Sequence, residues 1–363
     1  MTNIWDTLNQ PVTISGLELQ NRFVLAPMTR EQSPGGIPTK KVTEYYQRRA
    51  GSLGMIITEG TYIDHPTAGV SDRVPRLDST GAESGWRDVI AAVHAQGAAI
   101  FPQLWHVGCV RRAGALPFPD APVFTPSGLS LGGKVIAEEP SLEEIDRVID
   151  AFARSAVTAK SWGFDGVEIH GAHGYLLDQF FWKVTNRRSD KYCGSLEART
   201  QMSIDVVQEI RHRVGPDFPI QFRFSQWKAG RWDEHIAENP GELERILRPL
   251  SDAGVDIFHP STRRFWQPAF AQSDLTLAGW TKRITEKPTI LVGHVGVNTA
   301  FRSDTPSDSV PADALERLFE QQEFDLLAIG RALLADPQWV EKMIGGREDV
   351  ITPYTKDSEN IYY

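Results

Sequence analysis

The sequence predicts an α/β fold, and within that class a closed (β/α)8 barrel, a TIM barrel, with an enlarged loop after its third strand. Three observations carry this expectation. Short apolar runs rich in β-formers recur eight times along the 363 residues, helix-period stretches separate them, and no Gly-x-Gly-x-x-Gly turn follows an early run. Such a barrel takes ~250 residues, which leaves roughly a hundred for an N-terminal segment and enlarged loops. The rival architecture, an open doubly wound sheet, ordinarily carries that glycine turn. The nearest glycine clusters, Gly51/Gly54 and Gly132/Gly133, lack its spacing.

In chain order the runs span 23–26, 55–58, 98–104, 166–170, 220–225, 257–259, 289–292 and 326–329. Each is apolar on both faces and bounded by Gly, Pro or polar residues, as a strand buried on both sides of a parallel sheet reads. Helical spacing appears over 86–96, 142–162, 202–213, 243–253 and 312–321. Ser141 followed by Glu144 is a capping box opening the second of these. The stretch 109–139, rich in Pro, Gly and Ser, follows the third run, and its length marks a functional loop. Residues 1–363 read as a single barrel domain.

Composition narrows the partners. With 38 Lys+Arg against 47 Asp+Glu, the formal charge of −9 opposes a surface built for nucleic-acid phosphates or anionic lipid. Cys109 and Cys193 are too few for a disulfide framework, a redox pair or an iron–sulfur site. No stretch approaches the ~18–20 consecutive apolar residues of a spanning helix, and the N-terminus lacks a signal-peptide pattern. The expectation is a cytoplasmic protein with reduced thiols acting on a small molecule, with no nucleic-acid or membrane partner; a homo-oligomer stays open.

Barrel enzymes place their chemistry at the carboxyl ends of the strands, so the residues following each run are the candidates. The first run leads to Pro27, Met28 and Thr29, the second to Glu59 and Gly60, and the third carries Gln103, Trp105 and His106. The fourth ends in His170, with His173 and Tyr175 beyond; the fifth contains Arg223 and the sixth ends at His259. The seventh gives Gly293, His294 and Gly296, the eighth Gly330 and Arg331.

Gly330-Arg331 running into an apolar helix suggests an anion site, since a helix start offers free N–H groups and Arg331 a fixed charge. Phosphate sites after strands seven and eight recur in this fold, and the 293–296 turn lets backbone approach the same anion. A surface salt bridge for Arg331, with the glycines as plain turns, is the competing reading; spacing does not separate the two.

The sharpest signal is His170-Gly171-Ala172-His173-Gly174-Tyr175. Two imidazoles three positions apart, on a turn of helix-like geometry, can point at one atom and hold a carbonyl or nitro oxygen as charge develops there. A phenol of ordinary pKa ~10, as on Tyr175, stays protonated at neutral pH and can act as a general acid. A metal would need a third ligand that no neighbouring strand end supplies, so none is expected. Core histidines satisfied by backbone are the plain alternative. No run carries a Schiff-base lysine, and Glu168 lies within its strand rather than ending it as a glycosidase carboxylate would. The inventory suits an enzyme that positions flavin mononucleotide (FMN).

These residues resemble the Old Yellow Enzyme family of FMN-dependent ene-reductases nearly end to end. The matching segments are Asn21-Arg22-Phe23 with Ala26-Pro27-Met28-Thr29, Thr58-Glu59-Gly60-Thr61, Gln103-Leu104-Trp105-His106-Val107-Gly108, Asp165 through His170 and Tyr175 through Phe180, the stretch 186–199, and Gly330-Arg331 with Asp336-Pro337. The resemblance implies tight, non-covalent FMN lined by Pro27 and Met28, with Thr29 near the flavin carbonyl and Gly60 against the ring. It implies that Gln103 bonds the pyrimidine edge, Arg223 stabilises negative charge there, and Gly293, Gly330 and Arg331 receive the phosphate. It further implies that His170 and His173 clamp the substrate oxygen, Tyr175 gives the proton and Trp105 shapes the substrate pocket. The implied reaction is ping-pong: NAD(P)H, then an enone, enal or nitro compound, use one place in turn.

Some relatives have Cys where Thr29 stands or Asn where His173 stands, and Cys193 and Ala198 replace the usual Gly and Asn in an otherwise matching stretch. Longer relatives add an iron–sulfur cluster and a nucleotide domain, neither of which is expected here. Arg263, Arg264, Phe265 and Trp266 carry no assigned role, as pocket rim or as exposed loop; the tail Ile361-Tyr362-Tyr363 could cover the site, pack between subunits or be disordered. A flavin dehydrogenase running oxidatively and a non-catalytic flavin or phosphate-ligand barrel are the alternative functions. The physiological substrate and the NADH/NADPH preference are not legible.

Overall fold

The computed structural model describes residues 3–78, 81–299, 310–311 and 313–363. Eight parallel strands make the barrel: β1 (Phe23–Leu25), β2 (Met55–Tyr62), β3 (Ala99–Trp105), β4 (Val167–His173), β5 (Ile220–Lys228), β6 (Ile257–Pro260), β7 (Ile290–Val292) and β8 (Leu326–Ile329). Their hydrogen-bonded order is β6-β5-β4-β3-β2-β1-β8-β7. Parallel bridges Phe258–Thr289 and Ser261–Val292 bring β6 beside β7, so the ring is nearly closed. Each apolar run in the sequence lies on one of these strands.

The two-faced apolarity has a direct cause. Val24 and Ala26 near β1, Met55 and Ile57 of β2, and Leu326 and Ala328 of β8 pack together inside the ring. Their neighbours Phe23, Leu25, Ile56, Leu327 and Ile329 join the larger core between strands and helices. Alternate side chains of a strand face opposite ways, so both faces must be apolar.

The inner cluster is closed at its lower end by a hairpin, Val12–Ile14 paired antiparallel with Leu17–Leu19. Its turn residues Ser15 and Gly16 both have positive φ (48° and 83°), the requirement of a two-residue hairpin turn. Ile14 and Leu19 enter the inner cluster. The amino end of the barrel is therefore plugged, and the carboxyl end is left for ligands.

Helices Lys40–Ala50, Ala82–His94, Leu142–Trp162, Leu196–Val214, Pro240–Ala253, Leu277–Thr285 and Ala314–Glu320 follow the first seven strands. The helix expected over 312–321 begins at Ala314; its expected first residue, Ala312, lies outside the described residues. The capping box is formed, with Glu144 N–H donating to Ser141 Oγ at 3.2 Å and Ser141 N–H donating to Glu144 Oε2 at 2.7 Å. The enlarged loop after β3 runs to that cap. The buried Arg111 holds it by donating to the carbonyls of Gly69, Ala115 and Phe118, and the buried Arg188 by donating to those of Pro126 and Pro140. Among the described residues no helix is long and apolar enough to cross a membrane.

Candidate active site

The carboxyl end of the barrel opens into a cavity of about 400 Å³. Every residue assigned a role from the sequence lines it; of the other residues following the runs, His294 lines it and Glu59, His106, His259 and Gly296 do not. Pro27, Met28 and Thr29 come from the turn after β1, Gly60 from β2, Gln103 and Trp105 from β3, His170 and His173 from β4, and Tyr175 from just beyond. Arg223 comes from β5, Gly293 follows β7, and Gly330 and Arg331 follow β8.

The backbone at β4 differs from the helix-like turn expected there. The strand continues through His173, and its register against β5 shifts between Gly171 and His173. His173 sits at φ 64°, a left-handed conformation in which His is one of the less disfavoured residues. A bulge re-aims the side chains that follow it, and here it brings the His173 ring round to the side of His170. Their rings meet edge to face, with centroids 5.0 Å apart.

The His170 tautomer follows from its partner. Nδ1 accepts the backbone N–H of Ala172 at 3.3 Å, which leaves Nε2 to carry the proton. Burial, reinforced by the Arg223 guanidinium, holds this imidazole well below its ordinary pKa. His170 is therefore neutral at pH 7 and offers a donor. His173 is pushed down by burial and by His170; its Nε2 lies 2.8 Å from Ser261 Oγ, and its backbone N–H donates to Ser225 Oγ at 3.0 Å.

Tyr175 packs edge to face on both Trp105 and His170, at 5.0 Å each. The turn carrying it is pinned from behind: Asp178 accepts the Gly174 N–H at 2.6 Å and pairs with Lys228 Nζ at 2.6 Å. Both members of that ion pair are fully buried.

One layer down, Gln103 Nε2 donates to Glu168 Oε1 at 2.8 Å, and His259 Nδ1 lies 2.6 Å from Glu168 Oε2. A carboxylate only accepts, so this contact sets the Gln103 amide and leaves its carbonyl oxygen as an acceptor. Arg223, buried above the same carboxylate, donates to Ser261 at 3.4 Å, and its Nε has no hydrogen-bond partner among the described residues. At the opposite end Arg331 donates to the Thr299 carbonyl at 3.0 Å and lies 3.4 Å from His294 Nδ1. The helix it opens, Arg331–Ala335, is one turn long, so the guanidinium rather than a helix dipole supplies the positive charge.

The cavity also holds residues that sequence reasoning left without a role. Arg263 and Arg264 line it, with Trp227, Trp232, Ser261 and His294, while Trp266 packs behind it against Phe265 and His294. The tail lies at the rim: Tyr362 stacks on Tyr45 at 5.0 Å, and Ile361 accepts from Arg30 at 3.0 Å. In the sequence, the positions of Arg263 and Arg264 after the sixth run and of His294 after the seventh signal them, whereas Trp227, Trp232 and Ser261 carry no such signal. Among the described residues no group of three or more His, Cys, Asp or Glu is arranged for a metal ion.

A family model for NADH:flavin oxidoreductases and NADH oxidases matches residues 7–350. The NADH oxidase of Thermoanaerobacter brockii is 33% identical over 353 residues, covering 93% of this chain and 50% of that protein. A putative 12-oxophytodienoate reductase 11 of Oryza sativa subsp. japonica is 36% identical over 379 residues, covering 97% and 93%. The chain thus spans about half the length of the oxidase and of several other curated relatives. Among solved structures, morphinone reductase in complex with tetrahydroNAD superposes with a TM-score of 0.81 at 25% identity, covering 97% of this chain and 93% of that one.

Proposed function

Because the chain belongs to the NADH:flavin oxidoreductase / NADH oxidase family, the FMN-dependent Old Yellow Enzymes, we propose that it is an NAD(P)H-dependent ene-reductase acting on activated C=C bonds of enones, enals or nitroalkenes. In this reading residues 1–363 act as one FMN-binding barrel. The carrying observation is that an oxygen-binding pair, His170 and His173, and a phenol, Tyr175, share a cavity with Gln103, Arg223 and Arg331.

The cavity suits a flat anionic heterocycle with a phosphate tail. Arg223 has a buried Nε with no hydrogen-bond partner among the described residues, Gln103 keeps a neutral acceptor, and Arg331 supplies a further positive charge. A Cβ on Gly60 would stand 2.4 Å from the Trp105 ring, so the wall there has no room for a side chain. Gln103 and Arg223 would hold the pyrimidine edge, Arg331 with Gly293 and Gly330 the phosphate, and Pro27, Met28, Thr29 and Gly60 the ring. When bound, FMN supplies the hydride exchange, taking hydride from NAD(P)H and yielding it to the alkene.

The remaining chemistry belongs to side chains. His170 donates Nε2–H to the carbonyl or nitro oxygen, and His173 turns toward the same oxygen from its contact with Ser261. Two neutral donors in a buried site stabilise the charge that develops on that oxygen, which is what makes the β-carbon accept hydride. Tyr175 protonates the α-carbon, with Trp105 fixing its angle of approach. Because nicotinamide and alkene use this cavity in turn, no separate dinucleotide fingerprint is required.

Anaerobic stopped-flow tests this reading. The flavin should bleach on mixing with NADH or NADPH and recolour on mixing with cyclohexenone; bleaching without recolouring by any enone, enal or nitroalkene would reject ene-reductase activity.

A further inference from the structure

The cavity is cationic although the chain is acidic: its charged lining is Arg30, Arg223, Arg263, Arg264 and Arg331 against Glu359 alone, while the formal charge of the chain is −9. Arg30 is tied to the tail through the Ile361 carbonyl. Arg223 donates to Ser261, and Arg331 to Thr299. Arg263 differs from these three. Among the described residues its guanidinium makes no hydrogen bond or ion pair, and it lies over the Trp232 ring at 4.4 Å.

Between Arg263 and the imidazoles runs an unbroken wall. His173 stacks on Trp227 at 4.6 Å with 25° between planes, and Trp227 leans on Trp232 at 5.1 Å. Trp227 is locked by its Nε1–H, which donates to the Ser261 carbonyl at 3.2 Å. Such a wall accepts a flat apolar or aromatic body. Stacking on Trp232 restrains the guanidinium while leaving its donor edge open. A ligand whose oxygen sits at the His pair and whose body follows the tryptophans ends at this charge.

We propose that Arg263 anchors an anionic group, a carboxylate or phosphate, carried by the ligand at the end remote from the atom bound by His170 and His173. The proposal rests on the ene-reductase reading and adds a substrate class to it: activated alkenes with a flat body and a distal anion. The same chemistry could come from the phosphates of NAD(P)H, and the test separates the two sources.

The flavin-loaded wild type is compared with Arg263→Gln and Arg263→Lys in two arms. The first takes the ratio of kcat/KM for an aryl enal bearing a para-carboxylate to that for its methyl ester. The second takes the ratio of flavin-reduction efficiency with NADH to that with a phosphate-free N-benzyl dihydronicotinamide. A single charge-assisted contact predicts that the acid-to-ester ratio falls about tenfold in Arg263→Gln and largely survives in Arg263→Lys. A fall confined to the second arm keeps the anchor and assigns it to the dinucleotide. Ratios unchanged in both arms overturn the proposal. Quenching of tryptophan fluorescence by the acid and the ester gives the same comparison without turnover. Absent turnover therefore counts against the ene-reductase reading, and equal affinities of wild type and Arg263→Gln count against the anchor.

Discussion

Gln103 gives its amide N–H to Glu168 across the β3–β4 pair at 2.8 Å, and the other oxygen of that carboxylate faces His259 at 2.6 Å. The three side chains form a buried belt whose upper end is the Gln103 carbonyl. Glu168→Gln keeps the volume but removes the charge, so the Gln103 amide loses the contact that fixes its orientation. A hydrogen bond to a charged group is worth about 1.5–3 kcal/mol. FMN affinity is expected to fall roughly tenfold or more, read by fluorescence titration of the apoprotein; unchanged affinity would show that Gln103 orients itself without Glu168.

The Asp178–Lys228 pair predicts a stability effect. Both side chains are fully buried, and removing one partner strands the other charge. Lys228→Met should cost about 3–5 kcal/mol in denaturant unfolding, and the double variant Asp178→Leu/Lys228→Met should recover part of it. Equal losses in the single and double variants would deny that an unpaired charge is the cause.

Stability should fall on acidification. Burial holds His106, His170 and His173 well below their ordinary pKa and lowers His259 and, to about 4, His65. Unfolded, each titrates near ~6.5. Below that value the unfolded chain binds more protons than the folded one, so their contribution is complete above about pH 6.5 and declines as pH drops through it. Glu59 acts in the opposite sense, its pKa raised by burial from 4.5 to about 7: its contribution is full at low pH and lost as pH rises through 7. His94, half-exposed and raised by its bond to Asp165, opposes the other histidines weakly. Melting temperature should therefore drop between pH 7 and pH 5, more steeply in Glu59→Gln than in wild type. A flat profile, or a shallower one in the variant, contradicts the assignment.

Tyr175→Phe keeps the edge-to-face packing on Trp105 and His170 and removes the proton. Loss of a general acid typically costs 10²–10⁴-fold. Alkene reduction should slow by about that range while flavin reduction by NAD(P)H is largely retained. Equal loss in both half-reactions would remove the phenol from its role.

The barrel was legible because a strand buried on both faces must be apolar throughout, and eight such runs are on the strands. The hairpin 12–19 left no such trace, since Val12 and Leu17 are only partly buried and Thr13 and Glu18 are exposed. Helix Lys40–Ala50 was missed because most of the face it buries is Tyr45, Tyr46 and Arg49, with Val42 and Ala50 as its aliphatic members. In the site, residues ending the strands could be named one by one, because the fold puts those ends together. Contacts between strands could not. Glu168 is an interior strand residue, yet its register sets it beside Gln103 on β3 and the curvature of the sheet brings His259 of β6 onto it. Trp227 lies near the end of β5, Trp232 in the loop after it and Arg263 in the loop after β6, and they become a wall only when the two strand ends meet.

A visible-absorption titration of the FMN-loaded protein with a para-substituted phenol tests the central claim most directly. The account predicts a yellow protein that develops a long-wavelength charge-transfer band, saturable in wild type and lost in His170→Ala/His173→Ala. A protein that stays colourless after incubation with FMN, or a band undiminished in that double variant, would contradict it.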